Sequence, residues 1–163
     1  MTLIYFFAIP AVAYQALVIS CHDGDTIRIR RDEKVERIRL AGIDAPEMQQ
    51  QFGIASRDYL ENKVLGRKVE IQERGKDKYG RTVAEIFTED GKDVNHLLVR
   101  QGLAWRYPAY AGNDRLLAIF ESMARAERLG LWADHAAEPP WVFRKEMAAE
   151  RKIVHQPISQ IVR

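Results

Sequence analysis

Apolar and polar residues alternate along the first part of the chain in the manner of half-buried β-strands. Residues 26–31 and 35–42 place branched apolar side chains at alternate positions with arginines between them, and residues 15–20 form a more continuous apolar stretch. Successive side chains of a strand point to opposite faces of a sheet, so this period predicts three strands. In the third strand we expect Ile38 and Leu40 to face the core.

Farther along the chain, apolar residues recur at the spacing of an α-helix. This spacing predicts helices over residues 52–65, from about 94 to 101, and over 115–129. Asp93 is suited to cap the second helix, and Asn113 or Asp114 is suited to cap the third. The apolar stripe of the third helix is predicted at Leu116, Ile119, Phe120, Met123 and Ala126.

Two more strands are expected at residues 68–72 and 81–87, joined by a loop that contains Lys78-Tyr79-Gly80. A chain of 163 residues suffices for one compact domain. Five short strands are too few for a β-sandwich. Together with three helices, they predict an α+β fold built on a five-stranded OB-type Greek-key β-barrel.

Composition narrows the class of protein. Apolar residues make up 47% of the chain and charged residues 29%, as in ordinary soluble globular proteins. The net charge of +2 gives no reason to expect a broad basic face, so any anion must be bound by locally placed cations. Cys21 is the only cysteine, which excludes an internal disulfide.

The N-terminal residues form a pattern typical of a secretory signal. Residues 1–21 contain no Asp, Glu, Lys or Arg, and their apolar run ends in the small residues Ala-Val-Ala. We therefore expect export to the periplasm or out of the cell, with a cytoplasmic location as the alternative. Pro10 and Gln15 interrupt the run, so no membrane-spanning helix is expected. The predicted division is a signal peptide at 1–13, a folded domain at 14–144 and a C-terminal tail at 145–163.

Asp25 and Asp44 both stand where a predicted strand gives way to a turn. Carboxylates at such junctions can face a cleft, and two of them with water and a backbone carbonyl suit Ca²⁺ or Mg²⁺. Glu47 follows Pro46, whose ring restricts the backbone, and a carboxylate beside a bound cation can act as a general base. Taken singly, these residues have simpler interpretations, since Asp-Gly pairs form hairpin turns and a lone Glu is usually a surface residue.

Arg39 and Arg81 are candidate phosphate-binding residues, because a guanidinium contacts two phosphate oxygens at once and keeps its charge. Lys78 can reach a terminal phosphate. Aromatic rings nearby can stack on a nucleobase, although rings at such spacing are more often core or rim residues. The aromatic candidates are Tyr79, Trp105, Tyr107 and Tyr110.

The charged candidate residues, together with Ala45 and Tyr79, lie in motifs that follow one another along the chain. The motifs are Asp23-Gly24-Asp25-Thr26, Arg39-Leu40-Ala41-Gly42-Ile43-Asp44-Ala45-Pro46-Glu47, Asp77-Lys78-Tyr79-Gly80-Arg81 and Leu98-Val99-Arg100-Gln101-Gly102-Leu103-Ala104. In this combination the chain resembles the staphylococcal nuclease family from about residue 15 to residue 132. Pro139-Pro140-Trp141, followed by Arg144, resembles the tail of bacterial members.

The resemblance implies an OB barrel with three helices and calcium-dependent cleavage of DNA and RNA. By motif, Asp25, Asp44 and the backbone carbonyl of Ala45 match the calcium ligands, and the family often has Thr where Ala45 stands. Glu47 matches the residue that orients or deprotonates the attacking water. The other matched residues are the phosphate-binding Arg39 and Arg81 and the terminal-phosphate neighbours Lys78 and Tyr79, with Tyr107 and Tyr110 as candidates for base packing.

The implied reaction is an in-line attack of water on phosphorus, with departure of the 5′-oxygen and formation of 3′-phosphate ends. We expect a monomer that acts on DNA and RNA, with single strands preferred. The alternative is a noncatalytic OB-fold module that binds single-stranded nucleic acid. A module that had lost catalysis should lack some of the five charged site residues, whereas this chain keeps all of them.

Overall fold

The computed structural model describes residues 13–108, 110–112, 114–133 and 137–154. The strands in these residues are β1 (Ala13–Cys21), β2 (Thr26–Arg31), β3 (Lys34–Leu40), β4 (Ile43–Asp44), β5 (Lys68–Lys76), β6 (Thr82–Phe87) and β7 (Trp105–Arg106). Five of them close a barrel in the order β1-β2-β3-β6-β5, while β4 and β7 pair separately. The predicted five-stranded barrel is therefore confirmed.

Helices lie on the outside and at the end of the barrel. The described residues form α1 (Gly53–Val64), α2 (Val94–Arg100), α3 (Arg115–Ala126) and α4 (Pro140–Val154), with a 3₁₀ turn at Gly130–Ala133. The α+β class is confirmed, but there are four α-helices rather than three. The extra helix is α4, which extends into the segment expected to be a tail and packs on residues distant from it in sequence.

Strand pairing brings the start of β2 and the end of β3 together, next to the acidic turn that contains Asp25. β2 pairs antiparallel with β3, so that Ile27 lies opposite Ile38 and Thr26 lies opposite Arg39. Both isoleucines are fully buried, as their alternation with polar residues predicts. The backbone N–H of Leu40 donates to the carbonyl of Asp25 at 2.8 Å, which continues the ladder into the acidic turn. The sheet thus holds the backbone of Asp25 directly beside β3.

The buried face of α3 differs from the predicted stripe. Leu116, Ile119 and Met123 are 50%, 51% and 40% exposed, and Ala126 is also exposed. The buried residues of α3 are instead Leu117 and Ala124, with Phe120 packed partly against the core. Both sets have helical spacing, because α3 is apolar on more than one side. Packing against α2 and the barrel end selects the set with Leu117.

The predicted caps are present at both α2 and α3. The Asp93 side chain accepts the backbone N–H of His96, and the Asp114 side chain accepts two N–H groups at the start of α3. The imidazole of His96 lies between them, with Nε2 2.7 Å from Asp114 and Nδ1 3.3 Å from Asp93. Asn113, the other predicted cap of α3, lies outside the described residues. These contacts join the two helix starts.

Within the described part of the chain, no helix has the length and apolarity that crossing a bilayer requires. The predicted signal peptide lies outside the described residues except for Ala13, which is the first residue of β1. The predicted tail is described only as far as residue 154, where α4 ends.

Candidate active site

A cleft of about 660 Å³ opens beside the barrel where β2, β3 and the loop between β5 and β6 meet. Trp105, a candidate for base stacking, is buried and does not line this cleft. The other ten candidate site residues all line it. They are Asp25, Arg39, Asp44, Ala45, Glu47, Lys78, Tyr79, Arg81, Tyr107 and Tyr110.

Arg39 is the centre of the charged part of the cleft. Its Nη1 lies 2.9 Å from Asp25 Oδ2, and its Nη2 lies 2.8 Å from Asp44 Oδ1. The side chain of Asp44 is 1% exposed and that of Asp25 is 7% exposed. Two buried carboxylates this close require a cation between or beside them, since each would otherwise pay a large desolvation cost. The guanidinium of Arg39 meets that need for both.

The carboxylate of Asp25 is further held by its neighbours. Its Oδ2 accepts the backbone N–H of Ala45 at 2.7 Å, and its Oδ1 accepts the hydroxyl of Thr26 at 3.0 Å. Burial raises the pKa of Asp25 from 3.8 to about 6, and the charge of Arg39 opposes that rise. The loop is tightly packed here, because a Cβ on Gly24 would lie 1.9 Å from the Ser56 hydroxyl oxygen.

Asp44 contacts a second guanidinium that comes from α4. Arg144 Nη2 lies 2.7 Å from Asp44 Oδ2, and Arg144 Nη1 donates to Asp44 Oδ1 at 3.2 Å and to Glu47 Oε1 at 2.8 Å. Burial raises the pKa of Asp44, and the hydrogen bond from Arg144 is the largest effect opposing the rise. The sequence predicted no role for Arg144. The only signal was its place in the family-like tail motif.

Glu47 is positioned through its backbone. Its N–H donates to the side-chain oxygen of Gln50 at 2.9 Å, and the amide nitrogen of Gln50 donates to the carbonyl of Glu138 at 3.1 Å. Gly53 begins α1 directly against this loop, where a Cβ would lie only 2.0 Å from the carbonyl oxygen of Glu47. The backbone of Glu47 is therefore held by a close contact with Gly53 and, through Gln50, by a link to the residues just before α4.

Arg81 reaches the cleft from the other side, in the loop between β5 and β6. Its Nε lies 2.7 Å from Asp77 Oδ2, and Asp77 Oδ1 accepts the backbone N–H groups of Tyr79 and Arg81, each at 2.9 Å. The ring of Tyr79 is exposed, and the Lys78 ammonium lies 5.0 Å from its centre. Asp77 therefore organises the whole basic loop, a role that no sequence pattern predicted.

Aromatic rings form one wall of the cleft. The rings of Tyr107 and Tyr110 have centres 5.1 Å apart, and Trp141 of α4 stacks on Tyr107 at 5.1 Å with an interplanar angle of 22°. Trp141 also meets the ring of Trp105 edge-on at 6.5 Å. Both tyrosines were predicted as candidates, whereas Trp141 had no predicted role beyond its place in the tail motif, because it approaches the tyrosines only when α4 folds back.

The carboxylate oxygens in the cleft are the kind of ligand that a hard divalent cation binds. Asp25 and Asp44 supply adjacent buried carboxylates, and oxygen is the ligand that Ca²⁺ and Mg²⁺ select. Among the described residues, no group of three or more His, Cys, Asp or Glu side chains is arranged to hold a metal. A cation here would need oxygens from the backbone, from water or from the substrate as well.

Comparison with known proteins assigns this arrangement to a family. The family described as staphylococcal nuclease homologue matches residues 37–134, which include nine of the ten site residues together with Asp77. The chain belongs to the staphylococcal nuclease family. Of the charged site residues predicted from the sequence, only Asp25 lies outside the matched segment, and its bonds to Arg39 and Ala45 connect it to that segment.

Relatives of this nuclease match most of its length. An uncharacterized endonuclease of Escherichia coli O157:H7 is 39% identical over 127 residues, which cover 78% of this chain and 82% of that protein. Micrococcal nuclease of Shigella flexneri is 35% identical over 148 residues, or 85% of each chain. Protein ParB of Escherichia coli is 37% identical over 139 residues, covering 79% of this chain and 78% of that protein. The family and these relatives together show that the chain is a hydrolase of the nuclease class.

Proposed function

We propose that the chain is a calcium-dependent nuclease that hydrolyses phosphodiester bonds of both DNA and RNA. The observation that carries the proposal is the bridge from Arg39 to Asp25 and Asp44, 2.9 and 2.8 Å long, in the cleft that also holds Glu47. The cleft therefore contains two carboxylates that can bind a hard cation, a guanidinium that can bind a phosphate, and a further carboxylate that can accept a proton from water. No single motif of the sequence contains all of them.

Asp25, Asp44 and the backbone carbonyl of Ala45 would hold the calcium ion. When bound, the ion supplies a positive charge that polarises and orients a phosphate oxygen. The two carboxylates are kept in place without it, because Arg39 and backbone or hydroxyl donors contact them in the free protein. Such preorganisation means that the site need not rearrange its backbone to accept the ion.

Glu47 takes the proton of the attacking water in this proposal. Its side chain is about one-third exposed, so water reaches it, while its backbone is fixed by Gln50 and Gly53. Arg39 and Arg81 bind the phosphate oxygens from two sides of the cleft and stabilise the charge that grows on them. Departure of the 5′-oxygen then leaves a 3′-phosphate end.

The aromatic wall explains the proposed preference for single strands. Tyr110 is 64% exposed, so its ring is open to an unpaired base, and Tyr107 packs beside it with ring centres 5.1 Å apart. Lys78 and Tyr79 lie in the exposed loop across the cleft, where a terminal phosphate can be contacted. We propose that the protein acts on these substrates as a monomer.

The decisive experiment is digestion of end-labelled single-stranded DNA and of RNA, with Ca²⁺ and with a chelator. We expect cleavage of both only in Ca²⁺, and a 3′-phosphate on the products. Full activity in the chelator would remove the metal from the proposal, and 5′-phosphate ends would reverse the assignment of the leaving oxygen. Tight binding of the strand in Ca²⁺ without any cleavage would instead favour the noncatalytic OB-fold module.

A further inference from the structure

Helix α4 places the guanidinium of Arg144 against the carboxylate of Asp44, which is one of the proposed calcium ligands. The guanidinium of Arg144 spans both oxygens of Asp44, at 2.7 and 3.2 Å, and Arg39 donates to one of the same oxygens at 2.8 Å. Asp44 is almost fully buried, whereas the Arg144 side chain is 45% exposed. The open face of the Asp44 carboxylate is thus covered by an arginine whose side chain has room to move.

A divalent ion and Arg144 compete for this carboxylate. Asp44 Oδ2 is bonded to Arg144, so binding an ion through that oxygen weakens or breaks the 2.7 Å contact. The ion also repels the guanidinium, because two positive charges a few ångströms apart in a partly buried cleft are poorly screened. Arg39 need not leave, since it reaches Asp44 through Oδ1 and also pairs with Asp25.

The helix itself has anchors that do not depend on this contact. Trp141 stacks on Tyr107 and meets Trp105, and Gln50 donates to the carbonyl of Glu138 just before the helix. Displacing the guanidinium of Arg144 therefore moves a side chain and leaves α4 docked. The freed group remains in the cleft that Arg39 and Arg81 also line.

We propose that Arg144 is a third phosphate-binding arginine that exchanges partners. In the free protein it pairs with Asp44 and Glu47, and when calcium occupies Asp44 it transfers to the phosphate of the nucleic acid. The exchange also releases Glu47 from its 2.8 Å contact with Nη1, so that its carboxylate can accept a proton from water. This inference rests on the proposed calcium-dependent function and adds a residue to it.

Two binding measurements on the full chain test the exchange, each by calorimetry after removal of metal. The first titrates Ca²⁺ alone, and the second titrates thymidine 5′-monophosphate in Ca²⁺, since a monoester presents a phosphate with no phosphodiester bond to cleave. The variants are Arg144→Gln, Arg144→Lys and Lys145→Gln. Lys145 is the matched control, because it is exposed on the same helix and does not line the cleft. Its replacement by Gln removes the same single positive charge.

For Arg144→Gln we expect Ca²⁺ to bind about 5- to 10-fold tighter and the mononucleotide about 5- to 10-fold weaker, as for loss of one charge-assisted contact. Lys145→Gln reports the long-range effect of the charge alone and should change both affinities by less than about 2-fold. Arg144→Lys keeps the charge without the planar fork, so its affinities should lie between those of Arg144→Gln and the unaltered chain.

If Arg144→Gln and Lys145→Gln have the same affinity for Ca²⁺, or the same affinity for the mononucleotide, the proposed exchange is wrong. Weaker binding of both ligands, with helix content unchanged by circular dichroism, would also overturn it and make Arg144 a support of the metal site. If the unaltered chain binds no Ca²⁺, the proposed function itself fails. If it binds Ca²⁺ normally and only the difference between Arg144→Gln and Lys145→Gln is missing, the function stands and this inference alone falls.

Discussion

The Nε atom of Arg81 is bonded to the carboxylate of Asp77 at 2.7 Å, so the arginine predicted to bind phosphate is itself oriented by an acidic neighbour. The bond uses Nε, which leaves the two terminal nitrogens for a phosphate. Asp77 also accepts two backbone N–H groups of its own loop. The position of Arg81 therefore depends on a residue with no direct part in the chemistry.

Asp77→Asn should lower kcat/KM by about 10-fold, because one charge-assisted bond that orients Arg81 is lost. The loss should be smaller than for Arg81→Ala, which removes the guanidinium altogether. Steady-state cleavage of a short DNA strand measures both. Asp90→Asn, in an exposed turn that does not line the cleft, is the control and should leave the rate unchanged. Equal rates for Asp77→Asn and the unaltered chain would show that Arg81 is held by other contacts.

Glu47→Gln should reduce turnover by at least ~10²-fold, by analogy with the loss of a group that acts in the transition state. The amide keeps the size of the side chain and cannot accept the proton of water. Its stability should change little, because the Glu47 carboxylate is partly exposed. Single-turnover cleavage rates test this, with Glu33→Gln in an exposed turn as the matched control. An undiminished rate in Glu47→Gln would remove the residue from the reaction.

Arg39→Ala should destabilise the fold as well as abolish cleavage. Removing the guanidinium leaves Asp25 and Asp44 buried with less compensation, a change that typically costs about 3 kcal/mol. Urea unfolding in chelator at neutral pH measures the loss. Arg37→Ala is the control, since Arg37 is an exposed arginine on the same strand and should stay within about 0.5 kcal/mol. A similar free energy of unfolding for both variants would contradict the role of Arg39 as the shared counter-ion.

Gly53→Ala should lower turnover through the backbone of Glu47. The added methyl would overlap the carbonyl oxygen of Glu47, so the loop or the start of α1 must shift. We expect a stability loss of about 1–3 kcal/mol, as for overpacking, together with slower cleavage. Ile54→Ala alters the next residue of the helix, which is 56% exposed, and should have little effect on the rate. Cleavage by Gly53→Ala at the rate of Ile54→Ala would contradict this positioning.

The free energy of unfolding of the metal-free protein should depend on pH through the titration of Asp25. Burial raises its pKa in the folded state from 3.8 to about 6, so the folded protein holds this proton more tightly than the unfolded chain does. The contribution of Asp25 to stability therefore falls as pH rises from about 4 to above 6, and it stays low at higher pH. Urea unfolding of the unaltered chain and of Asp25→Asn, in chelator, measures the difference.

The unaltered chain should lose stability relative to Asp25→Asn between pH 4 and pH 7, by the sign of that pKa shift. The comparison with Asn cancels the other titrating groups to first order. A difference that stays constant over this range would mean that Asp25 keeps an ordinary pKa. A difference that changes in the opposite direction would mean that the contact with Arg39 outweighs burial.

Elements that depend on local sequence were predicted closely. The strand Thr26–Arg31 has the predicted bounds, and the caps at Asp93 and Asp114 are made by side chains to backbone groups two or three residues away. Strand alternation and helix capping involve neighbours in sequence, so their physical causes can be read there. For the same reason, the acidic and basic motifs could be identified before their spatial arrangement was known.

The face of α3 and the docking of α4 depend on residues far away in the chain. α3 offers apolar residues on more than one side, so burial of Leu117 rather than Ile119 follows from where α2 and the barrel lie. Arg144 meets Asp44 across 100 residues, and Trp141 finds Tyr107 only when α4 turns back over the cleft. Such contacts form because burial of apolar rings and neutralisation of buried carboxylates favour them, and no local pattern encodes the partner.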